Sequence, residues 1–175
     1  MSFYNRKATR LSKYNYSEKG AYFITICTQN RKPVLSKISI VGDGVLDVPE
    51  NKLTFIGEIA DKNLKSLSRF YKDISVDKYV IMPNHIHMLI QIKSDSVSGS
   101  SRTPTPTNMK IPHFISTFKR LCNKEYGKNI WQRSFHDHII RNQKDYDRIW
   151  TYIEINPYKW EQDCFYKKGD ISTHK

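Results

Sequence analysis

Two histidines two residues apart are the strongest chemical signal in this sequence. His85 and His87 lie in the run HIHMLIQI, residues 85–92, which is typical of a β-strand. Alternate residues of a strand point to the same face, so both imidazoles leave one face while Ile86 points to the other. Neutral imidazole is the commonest protein ligand for metal ions. The pair predicts a metal site, although two surface histidines or two hydrogen-bonded histidines would give the same pattern.

Tyr152 and Asn156 form a second constellation on a predicted helix. Their separation of four residues places both side chains on one face, one turn apart. The pKa of a phenol is about 10, so the group is protonated at neutral pH. Its attack on phosphorus therefore needs a metal ion to offset the developing charge. Two imidazoles and an amide oxygen would hold that ion and leave positions open for a phosphate. The combination predicts transesterification with Tyr152 as nucleophile; an interfacial tyrosine and a capping asparagine are the plainer alternative.

The chemistry of these ligands also bears on which ion they would hold. A mixed set of nitrogen and oxygen ligands around a phosphate favours Mg²⁺ or Mn²⁺, but imidazoles would also accept Zn²⁺. We expect a divalent metal, with Mg²⁺ or Mn²⁺ first.

The overall charge indicates a polyanionic partner. Twenty-nine lysines and arginines against seventeen acidic residues give a formal net charge of +12, and eleven tyrosines add rings that can stack on bases. Nucleic acid is therefore the expected partner. A membrane is not expected, because no run of about 18 apolar residues occurs. Three scattered cysteines without a CxxC element and a start without an apolar signal core favour the cytoplasm.

The elements that position these residues follow from the apolar periodicity. Helical spacing and β-branched runs occur without a regular βαβ alternation, so we expect an α+β fold in which helices pack on a largely antiparallel sheet. The predicted helices cover 55–70, an apolar stripe over 111–122, and a segment that begins after Asn142 and ends before Pro157. The predicted strands cover 21–29, 72–82 and 85–92. Residues 129–141 are expected to form an irregular strand or a lining loop, and residues 38–54 a loose hairpin or loop.

A length of 175 residues predicts a single domain that spans 1–175. Residues 1–20 are expected to form a basic N-terminal arm, in which Arg6, Lys7 and Arg10 either contact phosphates or remain a solvated tail. The Ser-, Thr- and Pro-rich stretch 93–108 is expected to be a flexible loop.

Three segments together resemble the IS200-like transposases, in particular the REP-associated tyrosine transposase branch. They are MPNHIHMLI at 82–90, NIWQRSFHDHIIRNQKDY at 129–146 and YIEINPYK at 152–159, and YFITICTQNRKPVL at 22–35 is similar to the first strand of that family. The resemblance covers most of residues 10–165. It implies a HUH endonuclease with a ferredoxin-like fold that cleaves and rejoins single-stranded DNA, often beside a hairpin, through a 5′-phosphotyrosine intermediate.

The resemblance also implies roles for individual residues. His85 and His87 match the two HUH ligands, and Tyr152 matches the nucleophile. Asn156 stands at the position of the third, helix-borne ligand, where many insertion-sequence members carry Gln. The long Ser/Thr/Pro stretch is not part of the family pattern, and we expect it to alter access or DNA choice.

Further residues are predicted to contact DNA. Of the second histidine pair, His136 and His138, only His138 falls on a family position, and Asp137 stands where HUH has a bulky apolar residue, so we interpret the pair as structural or DNA-contacting. Trp131 is predicted to stack on a base and Arg141 to contact phosphate, although a core tryptophan and a surface arginine would fit equally. The predicted DNA-binding set is Arg6, Lys7, Arg10, Lys119, Arg120, Trp131, Gln132, His138 and Arg141.

Three functional hypotheses follow. The first is an enzyme that cuts and rejoins single-stranded DNA at hairpins or palindromic repeats; the second is a non-catalytic nucleic-acid-binding relative; the third is metal-dependent RNA hydrolysis. The sequence leaves open whether the helix with Tyr152 serves its own histidine pair or that of a partner in a homodimer.

Overall fold

The structure is a computed structural model that describes residues 18–41, 48–93 and 110–166. Most of the predicted N-terminal arm, with Arg6, Lys7 and Arg10, lies outside the described residues, as does nearly all of the predicted loop 93–108. In chain order the elements are β1 Gly20–Cys27, β2 Ser36–Val41, β3 Val48–Leu53, α1 Phe55–Phe70, β4 Ile74–Ile81, β5 His85–Ile92, α2 Lys110–Tyr126, β6 His136–Ile140 and α3 Gln143–Ile155.

The main sheet has four strands in the order β4-β5-β1-β6, and every neighbouring pair is antiparallel. Strands β2 and β3 form a separate two-stranded hairpin. Apart from that hairpin and α3, the chain runs β1-α1-β4-β5-α2-β6 with β1 and β5 at the sheet centre. This is the ferredoxin-like arrangement, so the expected α+β fold is confirmed.

The two faces of the sheet are covered by different helices. Alternate residues of β1 and β5, such as Ile24 and Met88, pack in the core that also contains the apolar stripes of α1 and α2. The intervening residues point to the other face, where Leu89 packs with Ile149 and Ile153 of α3. Because His85 and His87 alternate in phase with Leu89, both lie on the α3 face.

The limits of α3 follow from its end residues. The side chain of Asn142 accepts a hydrogen bond from the Asp145 backbone N–H at 2.9 Å, which caps the helix at the predicted residue. Pro157 removes a backbone donor, and the chain continues as a 3-10 stretch, Asn156–Gln162. Tyr152 therefore lies in the last turn of α3, and Asn156 at the junction with this stretch.

Residues 129–141, predicted as an irregular strand or a lining loop, contain a short strand and an irregular segment. Only His136–Ile140 forms a strand, and Trp131 makes a single bridge to Thr28. Between them, the carbonyl oxygens of Gln132 and Ser134 each accept a hydrogen bond from Lys119 Nζ at 2.8 Å. These carbonyls are thus bonded to a side chain instead of a neighbouring strand.

Among the residues that the structure describes, no helix is long and apolar enough to cross a membrane.

Candidate metal and tyrosine site

The predicted histidine pair is buried beneath α3. His85 and His87 pair in register with Cys27 and Thr25 of β1, so the central strands of the sheet hold both backbones rigidly. Their Nε2 atoms lie 3.0 Å apart. Two ligands at right angles and about 2.1 Å from one ion would stand about 3 Å apart, so this spacing fits two adjacent ligands of one metal.

Neighbouring side chains determine which ring nitrogens are free to bind a metal ion. Asn84 Nδ2 donates to the carbonyl oxygen of Phe165 at 2.8 Å, which leaves Asn84 Oδ1 at 2.9 Å from Nδ1 of His85. Because an amide oxygen only accepts, Nδ1 carries the proton and Nε2 keeps its lone pair. Nδ1 of His87 lies 2.7 Å from Thr25 Oγ1, which can serve the second ring in the same way. Such partners orient metal-binding histidines.

Both imidazoles are held in the neutral form. Burial, with a smaller effect from the nearby charge of Arg31, lowers the pKa of His85 to about 3. Burial and the neighbouring His85 also lower the pKa of His87 well below its usual value. Neutral imidazole is the form that binds metal ions.

Tyr152 reaches this pair from α3. Its hydroxyl lies 3.3 Å from His87 Nε2 and 3.4 Å from Asp163 Oδ2, and its ring packs edge-on against Phe23. The side chain is 38% exposed, so the hydroxyl lies at the border between the histidines and solvent. Burial and the charge of Asp163 raise the pKa of Tyr152 to about 12. The phenol is therefore protonated at neutral pH unless a cation is near.

Asp163 is a residue of this site that the sequence reasoning missed. Ligand atoms of His85, His87 and Asp163 all lie within 4.8 Å of one another, so these three could hold a metal ion. Asp163 follows the 3-10 stretch, which is anchored by Trp160 buried against Met82. No local spacing relates Asp163 to the histidines, so only the packing of this stretch could have identified it.

The amide of Asn156 lies beside this carboxylate. Its Nδ2 donates to Asp163 Oδ2 at 3.2 Å. Its Oδ1 is buried and has no hydrogen-bond partner within the described part of the chain. A buried polar atom without a partner is costly, and a metal ion would satisfy it. The residues present therefore fit a divalent ion with mixed nitrogen and oxygen ligands.

The second histidine pair lies on the same face of the sheet. In the register of β6 on β1, His136 pairs with Thr25 and His138 pairs with Phe23. Nε2 of His138 lies 2.7 Å from Asp145 Oδ2 in the first turn of α3. Neither histidine belongs to the group of potential metal ligands found among the described residues.

The predicted DNA-binding residues occupy varied environments. Trp131 is only 3% exposed and packs against Phe118, and the ammonium group of Lys119 is bonded to backbone carbonyls. Arg120 and Arg141 are exposed. Contact with DNA stays a prediction for Lys119, Arg120, Trp131, Gln132, His138 and Arg141, and for Arg6, Lys7 and Arg10 outside the described residues.

Comparison with known proteins gives named relatives. No protein-family profile matches the chain. An uncharacterised protein of Haemophilus influenzae is 32% identical over 93% of this chain and 94% of its own length. The REP-associated tyrosine transposase of Escherichia coli K12 is 25% identical over 85% of this chain and 74% of its own length.

A solved structure shares the fold of this chain. A solved structure of a REP-associated tyrosine transposase bound to a REP hairpin superposes with a TM-score of 0.57. The two are 23% identical, and the match covers 91% of this chain and 74% of the other. The named sequence relatives confirm that the chain resembles the REP-associated tyrosine transposases, and the solved structure shows that the two share a fold.

Proposed function

We propose that this protein is a metal-dependent endonuclease and transesterase that cleaves and rejoins single-stranded DNA at hairpin or palindromic repeats. The observation that carries the proposal is the position of the Tyr152 hydroxyl, 3.3 Å from His87 Nε2 on a side chain that solvent still reaches. A nucleophile at that point can meet a phosphate that is bound beside the histidines.

The metal would be held by Nε2 of His85 and His87, the carboxylate of Asp163 and Oδ1 of Asn156. When bound, the ion neutralises charge on the phosphate and orients it for in-line attack. Nitrogen and oxygen ligands together with a phosphate favour Mg²⁺ or Mn²⁺. The protein itself supplies rigid strand positions for the imidazoles and a helix position for Tyr152.

The covalent step conserves the phosphodiester energy. Tyr152 Oη bonds to phosphorus as the bond from phosphorus to the 3′ oxygen breaks. The phenolic proton leaves to water, and the departing 3′ oxygen takes up a proton from water. The product is a 5′-phosphotyrosine and a free 3′ hydroxyl. Because one phosphate ester replaces another, attack by a 3′ hydroxyl can rejoin the strand.

The substrate class rests on charge and relatives. The net charge of +12 favours nucleic acid. A solved structure with a similar fold is a transposase bound to a REP hairpin, which supports a folded repeat beside the cleaved single strand. Either a monomer or a homodimer is compatible with this site.

A search for the covalent adduct tests the proposal. Single strands tiling both flanks of the gene would carry a 3′ label, because the 5′-phosphotyrosine joins the protein to the 3′ fragment. With Mn²⁺ we expect a labelled protein band from the native chain and none after chelation or from Tyr152→Phe. Tyr158→Phe alters an exposed tyrosine and serves as the matched control.

The other hypotheses give different results in the same assay. DNA binding without any adduct from the native chain would support the non-catalytic relative. Cleavage of an RNA strand of the same sequence, with no DNA adduct, would support RNA hydrolysis. An adduct that persists in Tyr152→Phe would mean that the nucleophile is Tyr146 or Tyr158 instead.

A further inference from the structure

We infer that Arg31 binds a phosphate of the DNA strand next to the metal site and so positions the strand for cleavage. This inference rests on the proposed function, because its ligand is the same single strand. Arg31 lies in the 3-10 turn Gln29–Arg31 that follows β1. It is outside the predicted DNA-binding set.

The turn holds two successive residues in an unfavourable conformation. Asn30 has φ 57° and Arg31 has φ 54°, in the left-handed region that residues with side chains rarely adopt. Hydrogen bonds keep the turn in place: Gln29 N–H donates to the Ile130 carbonyl at 2.7 Å, and Arg31 N–H donates to the Thr28 carbonyl at 3.0 Å. Strain retained in this way is typical of functional sites.

The same turn is tied directly to the histidine strand. Thr28 N–H donates to the carbonyl of Asn84 at 2.9 Å, and Thr28 Oγ1 lies 3.1 Å from that carbonyl. Asn84 immediately precedes His85 and bonds its ring. The backbone of Arg31 is therefore fixed relative to the metal site through only a few rigid contacts.

The guanidinium group of Arg31 faces the site. Its Cζ lies 4.7 Å from the centre of the Phe165 ring, and that ring lies 4.6 Å from the ring of His85. Stacking occupies one face of the guanidinium and leaves its in-plane N–H donors available, the geometry that suits bidentate contact with phosphate. Within the described ranges, no carboxylate lies close enough to Arg31 to form an ion pair.

Charge explains why the partner should be an anion. The ring of Phe165 lies between the guanidinium group of Arg31 and the ring of His85, at 4.7 Å and 4.6 Å respectively. A divalent ion at the histidines would carry more positive charge than the Asp163 carboxylate offsets, so further negative charge beside Arg31 would be favourable. A phosphodiester adjacent to the one being cleaved supplies that charge, since successive phosphates follow the strand past the site.

The salt dependence of DNA binding tests this role without any cleavage. Binding of a fluorescent oligothymidylate of about twenty nucleotides would be titrated by anisotropy at several salt concentrations, in chelator, with Tyr152→Phe as the parent protein. Each phosphate contact on a single strand contributes about 0.7 to the slope of log K against log salt. We expect Arg31→Gly to reduce the slope by about 0.7. Glycine adopts positive φ readily, so the turn is preserved.

Two further variants define the result. Arg31→Lys keeps the charge and should retain the parent slope. Lys65→Ala removes a cation that is paired with Asp61 on α1, across the sheet from the site, and should also leave the slope unchanged. A parent slope in Arg31→Gly would overturn the inference. If Arg31→Gly lowers the affinity without changing the slope, and Phe165→Leu does the same, Arg31 only supports the Phe165 ring and the inference fails.

The adduct assay on the native chain is independent of these titrations. If the native chain forms no adduct while Arg31→Gly reduces the salt slope, the proposed catalysis fails and the phosphate contact stands. If the adduct forms while the slope is unchanged, the inference about Arg31 fails alone.

Discussion

Asn84 Oδ1 lies 2.9 Å from Nδ1 of His85, and this contact directs the other nitrogen of the ring toward the candidate metal site. The orientation of the amide is set in turn by the carbonyl of Phe165. Asn84 thus links the backbone of Phe165 to the orientation of the His85 ring.

We expect Asn84→Ala to weaken metal binding. Without the acceptor, Nδ1 loses its partner and the ring can turn or change tautomer, which typically lowers affinity roughly 10- to 100-fold. The dissociation constant for Mn²⁺, measured by electron paramagnetic resonance on free ion, checks this. Gln162→Ala changes an exposed amide and should bind Mn²⁺ as the native chain does. Native affinity in Asn84→Ala would mean that this contact does not orient a ligand.

Asp163→Asn is expected to lower Mn²⁺ affinity about 10-fold or more, because it removes the only negative charge among the proposed ligands while preserving shape. Glu161→Gln removes an exposed carboxylate two residues away and is the matched control. Calorimetric titration with Mn²⁺ measures both. If the two variants bind Mn²⁺ equally well, Asp163 is not a ligand, and Asn156 is the remaining proposed oxygen ligand.

Gly57→Ala tests the packing that supports the site from the hairpin side. A Cβ at Gly57 would lie 2.0 Å from the carbonyl oxygen of Leu35, so the backbone would have to shift. Leu35 N–H also bonds to the carbonyl of Pro83, just before Asn84. We expect the free energy of unfolding in urea to fall by about 1–3 kcal/mol.

Gly20→Ala provides the comparison for this prediction. A Cβ there would meet its nearest atom, on the Tyr22 ring, at 3.9 Å, which is an ordinary contact. Its unfolding free energy should stay within about 0.5 kcal/mol of the native value. Equal stability of both variants would show that Leu35 can move at little cost.

The local pattern of apolar residues was sufficient to predict most of the helices and strands. The predicted helix over 55–70 and strand over 85–92 have the observed bounds, because their apolar periodicities are regular. The prediction for 129–141 left a strand and a lining loop open, because the bonding of Lys119 to the carbonyls of this segment is a long-range contact. Such a contact leaves no trace in local periodicity.

What the sequence by itself determined is the set of residues related by regular spacing: His85 with His87 on a strand, and Tyr152 with Asn156 on a helix. Strand and helix geometry fix those relations within each element. Only the tertiary structure brought the two elements within 3.3 Å at Tyr152 and His87, and added Asp163 and Arg31. Both additions lie in irregular turns, whose direction depends on packing and distant hydrogen bonds instead of a repeating pattern.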